Sequence, residues 1–193
     1  ATVVGERREA PGVVGFREAL AGLPAAVAGV LGRHDEVGAV AERAIGRRVY
    51  AAGAGPNEAT ALEAVIKVRE AAYGWIDALA AEQFLHGPMV ALNADDLLAR
   101  VHVPGQAAGR VAEIAAVGAA MGAELWLVGQ ASERVPAATV FALPRMPEIL
   151  SPLLAVVPMQ MLAYEMAARR GINPDTFRRD DPRYAAAFGL LTL

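Results

Sequence analysis

The chain has 193 residues with a formal net charge of −3, and 55% of its residues are hydrophobic. This apolar fraction excludes a disordered protein, and the weak negative charge argues against non-specific nucleic-acid binding. The chain contains no cysteine, which excludes disulfides, thiolate metal ligands and thiol nucleophiles. Of its 18 basic residues, 17 are arginines and one is Lys67, so this lysine is an exception to the composition of the chain.

The first 46 residues predict an arm and linker helices, and residues 47–193 predict a separate domain. The arm mixes charged residues with glycine and proline, whereas the stretches after it are rich in alanine and leucine. The predicted segments are an arm at 1–16 and helices at 17–31 and 35–45.

The domain alternates short apolar strands with helices. Strands are predicted at 47–52, 97–103, 124–128 and 137–143, with a fifth near 89–92, and helices at 58–82, 106–121 and 152–170. The tail, residues 172–193, is predicted to be extended. This alternation is typical of an α/β protein with a parallel sheet that helices cover on both faces.

A glycine-rich loop, Gly53-Ala-Gly55-Pro-Asn57, follows the first predicted strand. Ligands of parallel sheets bind at the carboxyl ends of strands, and the N–H groups that start the next helix can bind an anion. We therefore interpret Gly53, Gly55 and Asn57 as candidate substrate-binding residues. A tight turn without a ligand is an equal alternative, because the loop lacks the third glycine of a dinucleotide motif and the lysine of a P-loop.

A polar stripe follows on the next predicted helix. Glu63, Lys67, Glu70, Gly74 and Asp77 are spaced four, three, four and three residues apart, which predicts one helix face. Spacing alone favours a solvated face with a Glu–Lys ion pair. The alternative is a carboxylate base beside an ammonium, which can hold the carboxylate ionised or donate a proton. The arginine bias supports this alternative, because lysine can donate a proton near neutral pH and arginine cannot.

His86 is a second candidate for acid–base chemistry, since histidine titrates near neutral pH. It lies at a predicted helix end before Gly87-Pro88, and for a lone histidine a capping or core role is the favoured alternative. His34 and His102 are interpreted as structural. No spacing of His, Asp and Glu predicts a metal site.

Three segments share their order and spacing with a known domain family. The first is Ala61-Leu-Glu-Ala-Val-Ile-Lys67-Val-Arg-Glu70, followed by His86-Gly-Pro88; the second is Pro152 to Tyr164; the third is Asn173-Pro-Asp175 with Asp181-Pro-Arg183. Together they resemble the SIS (sugar isomerase) domain family. They are most similar to the second SIS domain of glucosamine-6-phosphate synthases and related phosphosugar isomerases and deglycases.

The resemblance implies a three-layer α/β/α sandwich with a flavodoxin-like parallel sheet of five strands, in a protein that dimerises. It also implies that Glu70 moves a proton between C1 and C2 of a sugar with Lys67 beside it. His86 would assist ring opening in the site of a neighbouring subunit. Aldose–ketose exchange needs such a base and such an acid–base group.

Two departures limit the resemblance. The synthase tail carries a Schiff-base lysine a few residues after its Pro-Arg, where this chain has Ala187. The loops that match the SIS phosphate sites, at 53–57 and 104–108, carry no hydroxyl side chain. We therefore do not expect a complete glucosamine-6-phosphate synthase.

The sequence thus predicts a phosphosugar isomerase or deglycase for an amino-sugar or fructosamine phosphate, without a cofactor. One alternative is a non-catalytic SIS module that binds a sugar phosphate or only dimerises. Another is a nucleotide-binding flavodoxin-like domain, which the incomplete glycine motif disfavours. The expected partners are a sugar phosphate and another SIS domain, from a homodimer or an N-terminal half. Nucleic acid and membrane are not expected as partners, and a cytoplasmic location is.

Overall fold

A computed structural model describes residues 2–131 and 139–191, and a parallel sheet of five strands lies at its centre. The strands are β1 (Val49–Gly53), β2 (Ile76–Ala80), β3 (Leu97–His102), β4 (Glu124–Gly129) and β5 (Thr139–Ala142). Their order is β2-β1-β3-β4-β5, and every neighbouring pair is parallel. This is the flavodoxin-like strand order.

Helices cover both faces of the sheet. They are α1 (Thr2–Arg7), α2 (Val13–Leu31), α3 (His34–Ala44), α4 (Glu58–Ala72), α5 (Ala81–Leu85), α6 (Ala108–Ala120), α7 (Pro152–Arg169) and α8 (Pro182–Phe188). Side chains of β1 alternate between the faces. Val49 and Ala51 pack in the core with α3, α4 and α7, whereas Tyr50 and Ala52 pack with α5 and α6. The predicted α/β/α sandwich is confirmed.

The predicted helix over residues 58–82 is wrong, because this stretch contains both α4 and β2. Tyr73 adopts a left-handed backbone with a φ of 52° and ends α4. A Cβ at Gly74 would lie 2.8 Å from Val68 Cγ1, so the turn into β2 requires glycine. The alanine-rich sequence of β2 favours a helix, but pairing with β1 in the sheet overrides that local preference.

The fifth strand is therefore β2, and the strand predicted near residues 89–92 is wrong. A 3-10 turn occupies Pro88–Ala91 instead. Pro88 has no N–H to donate to a sheet, which disfavours a strand there.

Both ends of the chain contain helices that the sequence patterns do not predict. The predicted arm contains α1, and α2 begins at Val13 rather than at residue 17. The tail is not extended throughout, because Asp181 accepts a hydrogen bond from the Arg183 N–H at 3.0 Å and caps α8. The first two residues of the strand predicted at 137–143 and the last two of the tail lie outside the described residues. The division at residue 46 stays a prediction.

Two helical segments, Val13–Leu31 and Glu148–Arg169, are long and apolar enough to cross a membrane by length and composition. The second contains α7, and 61% of its apolar window is buried, as in a core helix. The first is α2, which lies near the N-terminus with 6% of its window buried. Core helices and N-terminal segments commonly meet this criterion, so it is weak evidence for a membrane.

Candidate functional site

The helix α4 brings three predicted polar residues together on one face. Lys67 Nζ lies 3.0 Å from Glu70 Oε2 and 3.9 Å from Glu63 Oε1, and all three side chains are partly exposed. Gly74 and Asp77 do not extend this stripe, contrary to the prediction, because α4 ends before them. The contacts of Lys67 with Glu70 (i,i+3) and Glu63 (i,i+4) are therefore those that the spacing of these residues on one helix predicts.

The charge of Lys67 is stabilised by its neighbours. Its hydrogen bond to Glu70 raises the pKa of the Lys67 ammonium; partial burial opposes this, and the charges of Glu70 and Glu63 add to it. Gln160 of α7 donates to Glu63 Oε1 at 3.1 Å and ties the stripe to the neighbouring helix. At neutral pH, Lys67 is thus a fixed positive charge beside Glu70 rather than a proton donor.

A cavity of about 430 Å³ opens beside Glu70. Its walls come from the end of α4, the turn into β2 and the C-terminal tail. The lining residues are Arg69, Glu70, Tyr73, Gly74, Trp75, Phe177, Arg178, Tyr184 and Phe188. Cavities of this size bind small molecules in many proteins. The cavity therefore gives the Glu70 carboxylate a place where a small ligand can reach it.

Sequence reasoning misses most of the cavity walls. Tyr73 and Trp75 lie in a stretch that the sequence predicts as helix, and Arg178 and Tyr184 lie in a tail that it predicts as extended. The only signal for the tail is its resemblance motif, Asn173-Pro-Asp175 with Asp181-Pro-Arg183. No local spacing relates residues this distant in sequence to Glu70.

His86 lies at the opposite edge of the sheet from Glu70. It ends α5, which follows the carboxyl end of β2, whereas Glu70 lies in the last turn of α4, shortly before β2 begins. The length of β2 corresponds to about 16 Å at the usual rise per residue. One chain therefore does not bring its own His86 to its own Glu70.

The surroundings of His86 are acidic and open. Its Nε2 lies 3.4 Å from Glu82 Oε2, and 75% of the histidine side chain is exposed. Arg110 donates to Glu82 at 2.5 Å, and this hydrogen bond lowers the pKa of the Glu82 carboxyl. Glu82 is thus ionised at neutral pH and can accept a hydrogen bond from the histidine ring.

The loop with Gly53, Gly55 and Asn57 is packed tightly within the protein. A Cβ at Gly53 would lie 2.0 Å from the Asn57 carbonyl oxygen, and Gly55 has a φ of +55°. The Asn57 side chain is buried; its Nδ2 donates to Ser151 Oγ at 2.8 Å, and its Oδ1 accepts from Thr60 Oγ1 at 3.1 Å. These contacts favour the structural alternative, and a substrate role for the loop stays a prediction.

Asn57→Ala is expected to lower the free energy of unfolding by about 1–3 kcal/mol, because it removes the acceptor of the buried Thr60 hydroxyl. It also removes the donor to Ser151 Oγ, which still donates to the Glu148 carbonyl. Urea denaturation measures the change. Asn93→Ala is the matched control, since Asn93 is exposed and its side-chain Nδ2 donates to the nearby Ala91 carbonyl at 2.9 Å. Unchanged stability of Asn57→Ala, together with weaker ligand binding, would instead favour the substrate role.

A carboxylate occupies the loop after β3. The Glu148 side chain accepts from the backbone N–H of Gln106 at 3.1 Å and of Ala107 at 3.4 Å, directly before α6. A Cβ at Gly105 would lie 2.1 Å from Glu148 Cδ, so a larger residue there would displace the Glu148 carboxylate. Helix N-termini bind anions, and here the protein supplies its own. At the carboxyl end of β3, the Glu148 carboxylate thus occupies the position that an anionic ligand would take.

Glu148→Ala is expected to free these two N–H groups, so that millimolar phosphate raises the melting temperature of the variant but not of the unsubstituted protein. Thermal-shift titration with phosphate measures this difference. Glu113→Ala is the control, because Glu113 is exposed on α6 and pairs with Arg110. An equal phosphate response in all three proteins would contradict the assignment of Glu148 to an anion position.

Within the residues that the structure describes, no group of three or more His, Asp or Glu side chains is placed to hold a metal ion.

Comparison with known proteins relates the chain to longer enzymes. No protein-family model matches it. Glutamine–fructose-6-phosphate aminotransferase (isomerizing) of Gloeobacter violaceus is 34% identical over 170 residues, which are 83% of this chain and 28% of that protein. The enzyme of the same name from Pyrococcus horikoshii is 29% identical over 155 residues, or 79% of this chain and 26% of that protein. The chain thus spans about a quarter of these curated relatives.

Solved structures show the same fold. The C-terminal domain of glucosamine-fructose-6-phosphate aminotransferase from Francisella tularensis has a TM-score of 0.73 at 22% identity, covering 82% of this chain and 46% of that one. The sugar isomerase domain of an RpiR transcription factor from Sphaerobacter thermophilus has a TM-score of 0.65 at 20% identity, covering 86% and 97%.

The strand order, the helix layers and these similarities show that the chain has the fold of the sugar isomerase (SIS) domain class. Within this class, it resembles the C-terminal, second SIS domain of glutamine–fructose-6-phosphate aminotransferases. The resemblance predicted from the sequence motifs is thereby confirmed.

Proposed function

We propose that the chain is the SIS domain of a phosphosugar isomerase or deglycase, in which Glu70 transfers a proton between C1 and C2. The observation that carries this proposal is the Glu70 carboxylate at the wall of a cavity of about 430 Å³, with Lys67 Nζ 3.0 Å away. The names of the relatives, which refer to fructose 6-phosphate and isomerisation, support the substrate class.

The proposed step uses Glu70 as a base. Its carboxylate takes the proton from the carbon next to the sugar carbonyl, the released electron pair forms the C1=C2 bond of an enediol, and the carbonyl oxygen takes up a proton. Glu70 then returns its proton to the former carbonyl carbon, while the hydroxyl on the carbon that was first deprotonated releases its proton to solvent and becomes the new carbonyl. Lys67 supplies a fixed positive charge that stabilises the negative charge on the sugar oxygen as it develops, before that oxygen takes up its proton.

We further propose that His86 acts in the site of a neighbouring subunit, where it assists ring opening. Its position at the far edge of the sheet and its 75% exposure suit contact with another molecule. Ring opening needs an acid–base group at the ring oxygen, and histidine is suited to this near neutral pH.

Another SIS domain is the proposed partner, as a second copy of this chain or as the N-terminal half of a longer one. The exposed sides of α4 and α7 next to the stripe carry large apolar side chains. Leu62 is 58% exposed, Ile66 46%, Leu153 48% and Tyr164 52%. Large exposed apolar side chains on two helices that pack together are candidates for a protein interface. We place this protein in the cytoplasm, as its enzyme relatives suggest.

The tail favours a deglycase or isomerase over the synthase. Where the resemblance implies a Schiff-base lysine, Ala187 lies in α8, and Lys67 is the one lysine of the chain. A reaction that needs an amine on the tail is therefore not proposed.

The deciding experiment replaces Glu70 with Gln and follows C1–C2 isomerisation or deglycation of a sugar phosphate. Unchanged turnover contradicts the proposed function.

A specific observation favours a second candidate, a non-catalytic SIS module. The loops after β1 and β3 carry no hydroxyl side chains, and Glu148 already fills the anion position after β3. Thermal-shift titration with hexose 6-phosphates separates the possibilities. A ligand at 100 times its Kd adds about 2.7 kcal/mol of stability, so no shift in a tight dimer would favour a purely dimerising module.

A further inference from the structure

Three strained backbone positions surround the cavity beside Glu70. Among the described residues, four non-glycine residues have a left-handed backbone, and three of them are Tyr73, Phe177 and Arg178, with φ of 52°, 50° and 61°. All three line this cavity. Such conformations are unfavourable for residues with a Cβ, and they cluster at functional sites where contacts enforce them. The tail side of the cavity is therefore a candidate for ligand recognition.

Arg178 is held between two aromatic rings. Its Cζ lies 4.9 Å from the centre of the Tyr73 ring and 4.1 Å from that of Tyr184. Across residues 2–131 and 139–191, no carboxylate lies within 4.0 Å of this guanidinium, and none of its N–H groups makes a hydrogen bond. Aromatic faces stabilise the cation but leave N–H donors for an acceptor.

The charges around the cavity favour an anionic ligand. Arg69 and Arg178 face the single lining carboxylate, Glu70, which already pairs with Lys67. Arg69 Nη2 is occupied, because it donates to Asp77 Oδ1 at 2.8 Å and to the Ile76 carbonyl at 2.7 Å, and these bonds hold the Arg69 guanidinium at β2. Arg178 also lines an adjoining cavity with Asp180 and Asp181, but neither carboxylate forms an ion pair with it within 4.0 Å, so Arg178 is the lining cation whose donors remain for a ligand.

We propose that Arg178 binds an oxyanion of the sugar substrate inside this cavity, either its phosphate or a carboxylate on its amine substituent. A planar guanidinium can donate two parallel hydrogen bonds to either group. An anion held there would place the sugar next to Glu70 in the same cavity. This proposal rests on the proposed function, since it assigns a ligand to the site of the proposed base.

The test compares Arg178→Gln with Arg179→Gln. Arg179→Gln removes the same charge one residue away. The Arg179 Cζ lies 4.5 Å from the centre of the Phe188 ring, and Arg179 does not line the cavity. Isothermal calorimetry measures the Kd of two probes, a hexose 6-phosphate and an unphosphorylated fructosyl amino acid. Arg178→Gln is expected to weaken one probe by about tenfold or more relative to Arg179→Gln, as the loss of a charged hydrogen-bond pair implies.

The affected probe identifies the oxyanion, phosphate in the first case and carboxylate in the second. Arg178→Lys keeps the charge without the two parallel donors, and an intermediate loss is expected even if the Gln variant does not fold. Equal Kd values for Arg178→Gln and Arg179→Gln overturn the role of Arg178. If Glu70→Gln still abolishes turnover, the proposed function survives that result. Failure of the unsubstituted protein to bind either probe overturns both.

Discussion

Glu70→Gln is expected to slow sugar isomerisation by about 10²- to 10⁴-fold, the usual contribution of a positioned general base. The amide has nearly the same shape as the carboxylate, and its oxygen can still accept from Lys67 Nζ, now 3.0 Å from Glu70. The change therefore removes the base with little effect on packing. Exchange of the C2 proton with solvent deuterium, followed by NMR, measures proton transfer directly.

Glu63→Gln is the matched control for this experiment. Glu63 lies on the same face of α4 and near the same lysine, at 3.9 Å, but it does not line the cavity. We expect it to keep most of the proton-transfer activity. An equal loss in both variants would contradict a specific role of Glu70 as the base, because loss of either carboxylate of the stripe would then have the same effect. Full activity of Glu70→Gln would refute its role.

Mixing two inactive variants, Glu70→Gln and His86→Ala, is expected to restore activity if His86 serves a neighbouring subunit. In an equal mixture of homodimers that exchange subunits, half of the dimers are mixed and each has one intact site. Activity should therefore recover to about a quarter of that of the unsubstituted dimer. Turnover before and after subunit exchange provides the measurement.

The double variant Glu70→Gln/His86→Ala, mixed with the unsubstituted protein, is the control for this result. Each mixed dimer then contains two sites that each lack one group, so only the quarter of the dimers that are unsubstituted stays active. Subunit exchange should therefore lower the activity from about a half to about a quarter of that of the unsubstituted protein. If the mixture of the two single variants shows no recovery of activity although mixed dimers form, His86 does not complete the site of another subunit. Activity of His86→Ala alone equal to the unsubstituted protein would remove His86 from the reaction.

The polar stripe illustrates what sequence patterns predict well. The contacts of Lys67 with Glu63 and Glu70 follow from helix geometry over four residues, and the structure contains both. The same pattern fails at Gly74 and Asp77, because it assumes that the helix continues. A left-handed Tyr73 and the pairing of β2 with β1 end it, and neither is encoded in the period of the stripe.

The candidate loop shows a different failure. Glycines and an asparagine after a strand have the composition of an anion site, and the sequence leaves the choice between ligand and tight turn open. Only the fold brings Ser151 and Thr60 to the Asn57 side chain and satisfies it internally. Burial and hydrogen-bond partners from distant segments decide between these alternatives.

The sequence by itself determined the class of the fold, the family resemblance and the Lys67–Glu70 pair, because alternation, motif order and helix spacing are properties of short segments. Only the tertiary structure decided which segment forms the fifth strand, the separation of His86 from Glu70 and the cavity lined by Tyr73, Arg178 and Tyr184. These features depend on how the sheet orders its strands and on where the tail returns to α4. Contacts between such distant segments arise only when the core forms.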